Sequence, residues 1–134
     1  GDIILVRGCM EKGGKPTRPE LSAQVNENDI RWNPDGEKKR FPSKDLRPVG
    51  RVWWQHRDPE FKDVLGFRGE KDVEKPIGEW NRVRLVCRGD QFVFFLNGKK
   101  VNEATDSTLS SGKILIQSEG AEIFYRNIKL HPLK

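Results

Sequence analysis

Cysteine and histidine are scarce in this 134-residue chain, with two of each. Cys9 and Cys87 allow one bridge at most, which excludes a disulfide framework as the source of stability. Cys87 alternates with Val83 and Leu85 and reads as a buried, inert thiol. His56 and His131 lie far apart, with no cysteine or aspartate at metal-ligand spacing, so no transition-metal centre and no cofactor are expected. Loop carboxylates leave calcium as the one cation still open. Long apolar runs are missing too: none approaches the ~20 residues that a membrane-spanning helix needs. Nor is there a block of one charge. The 25 basic residues are interleaved with 20 acidic ones, as in Glu37-Lys38-Lys39-Arg40, so the net charge of +5 reads as a solvated surface and not as a nucleic-acid tract. No leader is visible; the chain opens on Gly1, as a cleaved leader or an N-terminal truncation would leave it.

Apolar residues come in short runs separated by turn residues, with a period near two and no helical stretch. The length and this pattern predict one domain over residues 1–134, an all-β antiparallel β-sandwich. Strands are expected at Ile3–Arg7, Leu21–Val25 and Gly50–His56. Residues 26–49 read as a long polar loop around the Asn33-Pro34-Asp35-Gly36 turn. The second half is more regular. Asn81–Arg88 turns at Gly89-Asp90 into Gln91–Leu96, and Asn97-Gly98 closes a hairpin onto Lys100–Ala104. Further strands are expected at Lys113–Gln117 and Ala121–Leu130, with Phe92, Phe94 and Leu96 in the core. Trp53 and Trp54 point to opposite faces of their strand, which places at least one in the core.

Five pieces of this second half occur in order: Gly78-Glu79-Trp80-Asn81, Leu85–Asp90, Leu96–Lys99, Gly112–Gly120 and Phe124–Ile128. Together they resemble the closing half of the 3-keto-disaccharide hydrolase family, closely over Lys75–Leu133 and more loosely over Ile3–Glu74. The resemblance implies a concanavalin A-like jelly roll with a concave sugar-binding sheet, in a secreted or periplasmic bacterial protein. It implies cleavage of glucosides oxidised at carbon 3. The keto group acidifies the hydrogen at carbon 2, a base removes it, and the aglycone leaves from carbon 1. Two departures stand out. Family members carry strands ahead of the Ile3–Arg7 segment, so this chain looks N-terminally short, and exposed strand edges would invite a second copy or a partner that supplies strands. Ser22 stands where the family places Glu, two positions before Gln24.

The site candidates each have a plainer alternative. Glu119, at a strand end, is a catalytic or sugar-binding carboxylate or a rim residue. Asp29 lies in a loop that resembles an acidic family segment, and is otherwise a solvated loop residue. His56 suits a general base because an imidazole titrates near neutrality, or it is an exposed strand end. Arg7 and Gln24 can reach sugar hydroxyls, and Trp53, Trp80 and Asn81 complete the substrate-binding set, although Trp80 also reads as structural. Arg126 shares the parity of Phe124, Ile128 and Leu130 and is expected to face inward, with an ion-pair partner. A sugar or glycoside is the expected partner. Three functions compete: a 3-keto-glucoside hydrolase or lyase, a non-catalytic sugar-binding module on the same fold, and an interaction domain with no small-molecule site.

Overall fold

The structure, a computed structural model, describes residues 3–5, 19–41, 51–58, 60–62, 64, 66–118, 120 and 122–133. Its strands are β1 (Ile3–Ile4), β2 (Leu21–Val25), β3 (Glu37–Phe41), β4 (Arg51–Val52), β5 (Val83–Arg88), β6 (Gln91–Leu96) and β7 (Lys99–Ala104). All pairings are antiparallel: β1 with β4, β2 with β3, and β5–β6–β7 as a meander. Ser22 and Thr105 exchange backbone hydrogen bonds of 2.7 and 2.8 Å, which joins β2 to the end of β7. The short β1–β4 pair packs against this assembly. The protein is an all-β sandwich, as the period of two predicts.

The core lies between these layers. Leu21, Val25, Phe41 and Val52 are fully buried, and Ile3, Leu5, Ala23, Trp32 and Ala104 complete the cluster. Leu21, Ala23 and Val25 alternate with exposed Gln24, so β2 turns one row of side chains inward and keeps Gln24 outside. Alternation breaks in β7, where a register shift opposite Phe94 and Phe95 buries the neighbours Val101 and Asn102 together. The buried Asn102 amide is satisfied: Nδ2 donates to the Val52 carbonyl at 2.8 Å, and Oδ1 accepts from the Glu103 N–H at 3.0 Å. It therefore pins β7 to β4.

Several expectations need correction. Residues 26–49 are not a continuous loop, because β3 lies inside them; its Glu37-Lys38-Lys39-Arg40 side chains face water, and only Phe41 turns in. The buried tryptophan is Trp32, at 3% exposure, while Trp53 and Trp54 are half-buried. Val83, Leu85 and Cys87 do not form an inward row: all three are exposed, since nothing described packs over that face of β5. The partial cover that Cys87 retains pushes its thiol above the ordinary value, so it carries little thiolate at neutral pH. Leu96 is buried as expected, but Phe92 and Phe94 are only partly covered. The described residues of 113–118 and 122–130 form no strand, and Ile114, Leu115, Phe124, Ile128 and Leu130 stand exposed. Arg126 is exposed as well; its guanidinium sits 3.9 Å from the Trp80 ring centre, a cation–π contact, and it has no ion-pair partner among the described residues.

Candidate functional site

Where β2 ends, the chain turns through Asn26–Asp29 and runs back beside Trp53, the residue after β4. Trp53 and Arg31 form a parallel bridge, with the Trp32 N–H donating to the Trp53 carbonyl at 2.8 Å and the Trp53 N–H to that of Ile30 at 2.8 Å. Arg31 and Trp53 thereby share a side, and with Asp29, Arg57, Asp58 and Phe61 they line a cavity of about 230 Å³.

The sequence order Asp29-Ile30-Arg31 explains the local geometry. The Asp29 carboxylate accepts the Arg31 backbone N–H at 2.7 Å, an aspartate turn, and also takes Arg31 Nε at 2.7 Å and Nη2 at 2.5 Å. Asn26 Nδ2 donates to the same carboxylate at 3.2 and 3.4 Å, and its own Oδ1 accepts from Asn33 Nδ2 at 3.0 Å. Burial by itself raises the Asp29 pKa, but the hydrogen bonds from Arg31 and Asn26, with the Arg31 charge, outweigh it and hold the carboxyl below the usual carboxylate value. A carboxylate so bound is a weak base and a firm anchor, and what it anchors is Arg31. The guanidinium also donates through Nη1 to the Arg57 carbonyl at 3.2 Å, which ties the two walls of the cavity together.

The second wall rests on the spacing of Trp53, Arg57 and Phe61. The Arg57 guanidinium lies 4.1 Å from the Trp53 ring centre and 4.9 Å from that of Phe61, and Phe61 meets Phe67 edge-on at 5.4 Å. Asp58 accepts the Glu60 N–H at 2.7 Å and has no ion-pair partner among the described residues. The buried Trp53 Nε1–H has no hydrogen-bond partner among the described residues. The cavity therefore gathers two oriented guanidinium groups, two carboxylates and an aromatic wall. That set can hold an uncharged polar ligand, accept a proton, and stabilise an oxyanion that forms during reaction.

Of the residues singled out from sequence, Asp29 and Trp53 meet here. His56 does not line the cavity; it sits edge-on to Trp54 at 6.5 Å. Burial, then the charges of Lys99 and Lys71 against the opposing pull of Asp72, lower its pKa and keep the imidazole neutral. Gln24 lines a separate cleft with Trp32, on the opposite side of the chain from Arg31. Trp80 holds Arg126, and Asn81 Oδ1 accepts from the Lys75 N–H at 2.9 Å and from Asn97 Nδ2 at 2.7 Å, so both engage neighbouring protein groups. Arg7 and Glu119 lie outside the described residues. Among the described residues, no three His, Cys, Asp or Glu side chains gather as metal ligands, and no helix is long and apolar enough to cross a membrane. Arg31, Arg57, Asp58 and Phe61 were hidden from sequence reasoning inside charged loops. The signals were there in the Asp-x-Arg spacing and in an arginine four residues from an aromatic on either side.

Neither the curated proteins nor the solved structures contain a match to the chain. The family model described as a 3-keto-alpha-glucoside-1,2-lyase-like domain matches residues 3–131, nearly the full length and the same family that the second-half motifs resemble. The chain belongs to the 3-keto-alpha-glucoside-1,2-lyase-like domain family.

Proposed function

We propose that the protein is a carbohydrate-active enzyme that releases the aglycone from glucosides or disaccharides oxidised at carbon 3, with the Asp29–Arg31–Arg57–Asp58 cavity as its reaction site. Family membership supports the substrate class. The observation that carries the site is the pair of guanidinium groups fixed on one cavity, one tied by Asp29 and one held between two rings. Asp58 takes the proton from carbon 2, and the electrons of that C–H bond pass toward the carbon-3 carbonyl. Arg31 and Arg57 stabilise the resulting enolate oxygen. When the carbonyl re-forms, a C1=C2 double bond forms as the C1–O bond breaks, and the departing aglycone oxygen takes the proton that Asp58 holds. Asp29 positions Arg31. The Trp53 and Phe61 rings present apolar surface to the sugar's C–H face.

Aglycone release from a 3-keto-glucoside by the purified chain tests this, alongside Asp58→Asn and Arg31→Gln. Loss of about 100-fold or more in kcat for either variant, with the fold intact, is the expected result. Wild-type turnover that neither variant changes would move the site elsewhere, with Glu119→Gln the next variant to assay. A second reading, sugar binding without turnover, is favoured by Ser22 at the family's Glu position; a folded protein that binds the substrate and leaves it intact would establish it. The family resemblance supports a periplasmic or extracellular place of action and a concanavalin-like jelly-roll arrangement. The exposed apolar row from Ile114 to Leu130 supports association with a second copy or a partner strand.

A further inference from the structure

β5 is the end strand of its sheet: β6 pairs with one of its edges, and no described strand pairs with the other. The hairpin decides which backbone groups lie on that open edge. The Asn97 N–H donates to the Arg82 carbonyl at 2.9 Å, so Arg82 and Asn97 form a hydrogen-bonded pair. In an antiparallel ladder such pairs alternate with pairs that exchange no bonds. Arg84, Val86 and Arg88 therefore direct their backbone groups to Phe95, Val93 and Gln91. Val83, Leu85 and Cys87 turn theirs outward, and no other described backbone group meets them.

The two faces of this strand differ in chemistry. Val83, Leu85 and Cys87 stand opposite Leu96, Phe94 and Phe92. Leu96 is buried and Phe92 packs against the core, so this face carries the core layer out to the edge, where Val83 and Leu85 remain 57% and 37% exposed. The other face carries Arg82, Arg84 and Arg88. The Arg84 guanidinium lies 4.1 Å from the Phe95 ring centre. None of the three arginines has an ion-pair partner among the described residues. Two residues before Arg82, the Trp80 ring holds the Arg126 guanidinium at 3.9 Å, which lengthens the basic stripe. Glu103, across the sheet on this face, is already taken by Lys100 at 2.8 Å. A second copy of β5 is a poor occupant of the edge. Laid antiparallel and centred on Leu85, it would set Arg82 of each copy against Arg88 of the other, like charges directly opposite. A strand with acidic residues at alternate positions meets the same stripe with opposite charge, and its apolar side chains fall beside Val83, Leu85 and Cys87.

We propose that the open edge of β5 docks an extended segment of a partner protein in which Asp or Glu alternates with aliphatic residues, added as a fourth strand to β5–β6–β7. Backbone hydrogen bonds at Val83, Leu85 and Cys87 hold the segment, and Arg82, Arg84 and Arg88 select its charge. None of these residues lines the Asp29 cavity, and the docking does not depend on the reaction proposed there.

The test is a titration of the ¹⁵N-labelled protein with the end-blocked peptide Glu-Val-Glu-Val-Glu-Val-Glu, long enough to lie along the whole of β5. Saturable shifts at β5 amides are expected, with a dissociation constant on the order of 0.1–1 mM for so short a strand. At saturating peptide, amide exchange should slow by about tenfold at Val83, Leu85 and Cys87, whose N–H groups gain acceptors. Arg84, Val86 and Arg88, already bonded to β6, should change little. Arg84→Glu, at an exposed position, should weaken binding by about tenfold, and added salt should weaken it too. The rearranged peptide Glu-Glu-Glu-Glu-Val-Val-Val has the same composition and charge and should bind about tenfold more weakly. Equal binding of the two peptides would overturn the proposal, since charge alone would then explain it. Binding that leaves exchange at the three edge amides unchanged would overturn it too, as would the absence of any saturable shift. Edge protection that grows with protein concentration, without peptide, would give the edge to a second copy and overturn the proposal as well.

Discussion

Asp29 and His56 are perturbed in the same direction for different reasons, and both make the fold sensitive to acid. The His56 pKa is lowered by burial and by nearby lysines. As pH falls below 6.5, the unfolded chain therefore takes up its proton first, and stability declines until the native imidazole titrates too. Asp29 adds a second, more acidic stage. Its stabilisation is complete above 3.8 and is lost as pH falls from there through the lowered native value. Urea unfolding followed against pH should show two declines. His56→Gln should remove the one nearer neutrality, and Asp29→Asn should reduce the more acidic one, to which Asp106, held low by Lys38 and Ser22, also contributes. Asp29→Asn should also cost about 1–2 kcal/mol at neutral pH, because Arg31 loses a charge-assisted partner. The role of Asp29 was only half legible in the sequence. An acidic residue near a ligand can be found by its position, but whether it acts as a base or an anchor depends on which donors surround it.

At the scale of elements, the strands that announced themselves were those with local instructions. The Asn97-Gly98 turn has both residues at positive φ, 50° and 85°, and sets Leu96 opposite Lys99. β2 was legible in full from its alternation. β3 was not, because an edge strand of charged residues has no apolar period and takes its pairing from β2. The opposite failure occurred at the described residues of 113–118 and 122–130, whose β-branched and aromatic runs resemble strands yet find no partner among the described residues. Strand propensity states what a segment can do once an edge is offered to it. The Asn33–Gly36 turn, by contrast, was read correctly. Asp35 N–H and Gly36 N–H donate to the Asn33 side chain and carbonyl at 3.0 Å each, and a Cβ on Gly36 would lie 2.2 Å from the Val25 carbonyl oxygen. Gly36→Ala should therefore lower stability by about 2 kcal/mol or more, measured by thermal unfolding, since the clash is with backbone that cannot turn aside.

Over the molecule as a whole, burial is lopsided. The core gathers around β1, β2, β3, β4 and the end of β7, while β5 and the described residues after Gly112 show most of their apolar side chains to solvent. Stability should follow the same division. Val101→Ala removes methyl groups from a fully buried site and should cost roughly 2 kcal/mol. Ile128→Ser, at a position 74% exposed, should change the unfolding free energy by less than about 0.5 kcal/mol and improve solubility. Equal costs at the two positions would mean that Ile128 is covered in solution.

The Asn97 side chain has a consequence for how the protein ages. An asparagine followed by glycine is the pair most open to attack of the backbone nitrogen on the side-chain amide, which forms a succinimide and then aspartate or isoaspartate. Here that amide is fastened at both ends. Oδ1 accepts the Arg82 N–H at 2.9 Å, and Nδ2 donates to the Val73 carbonyl at 2.9 Å and to Asn81 at 2.7 Å. Cyclisation must wait for the hairpin to open, so the isoaspartate content of a stored sample records how often it does. Each event is also irreversible for the fold, because a carboxylate cannot donate to Val73 or Asn81, and the loop and hairpin that Asn97 joins come apart one molecule at a time.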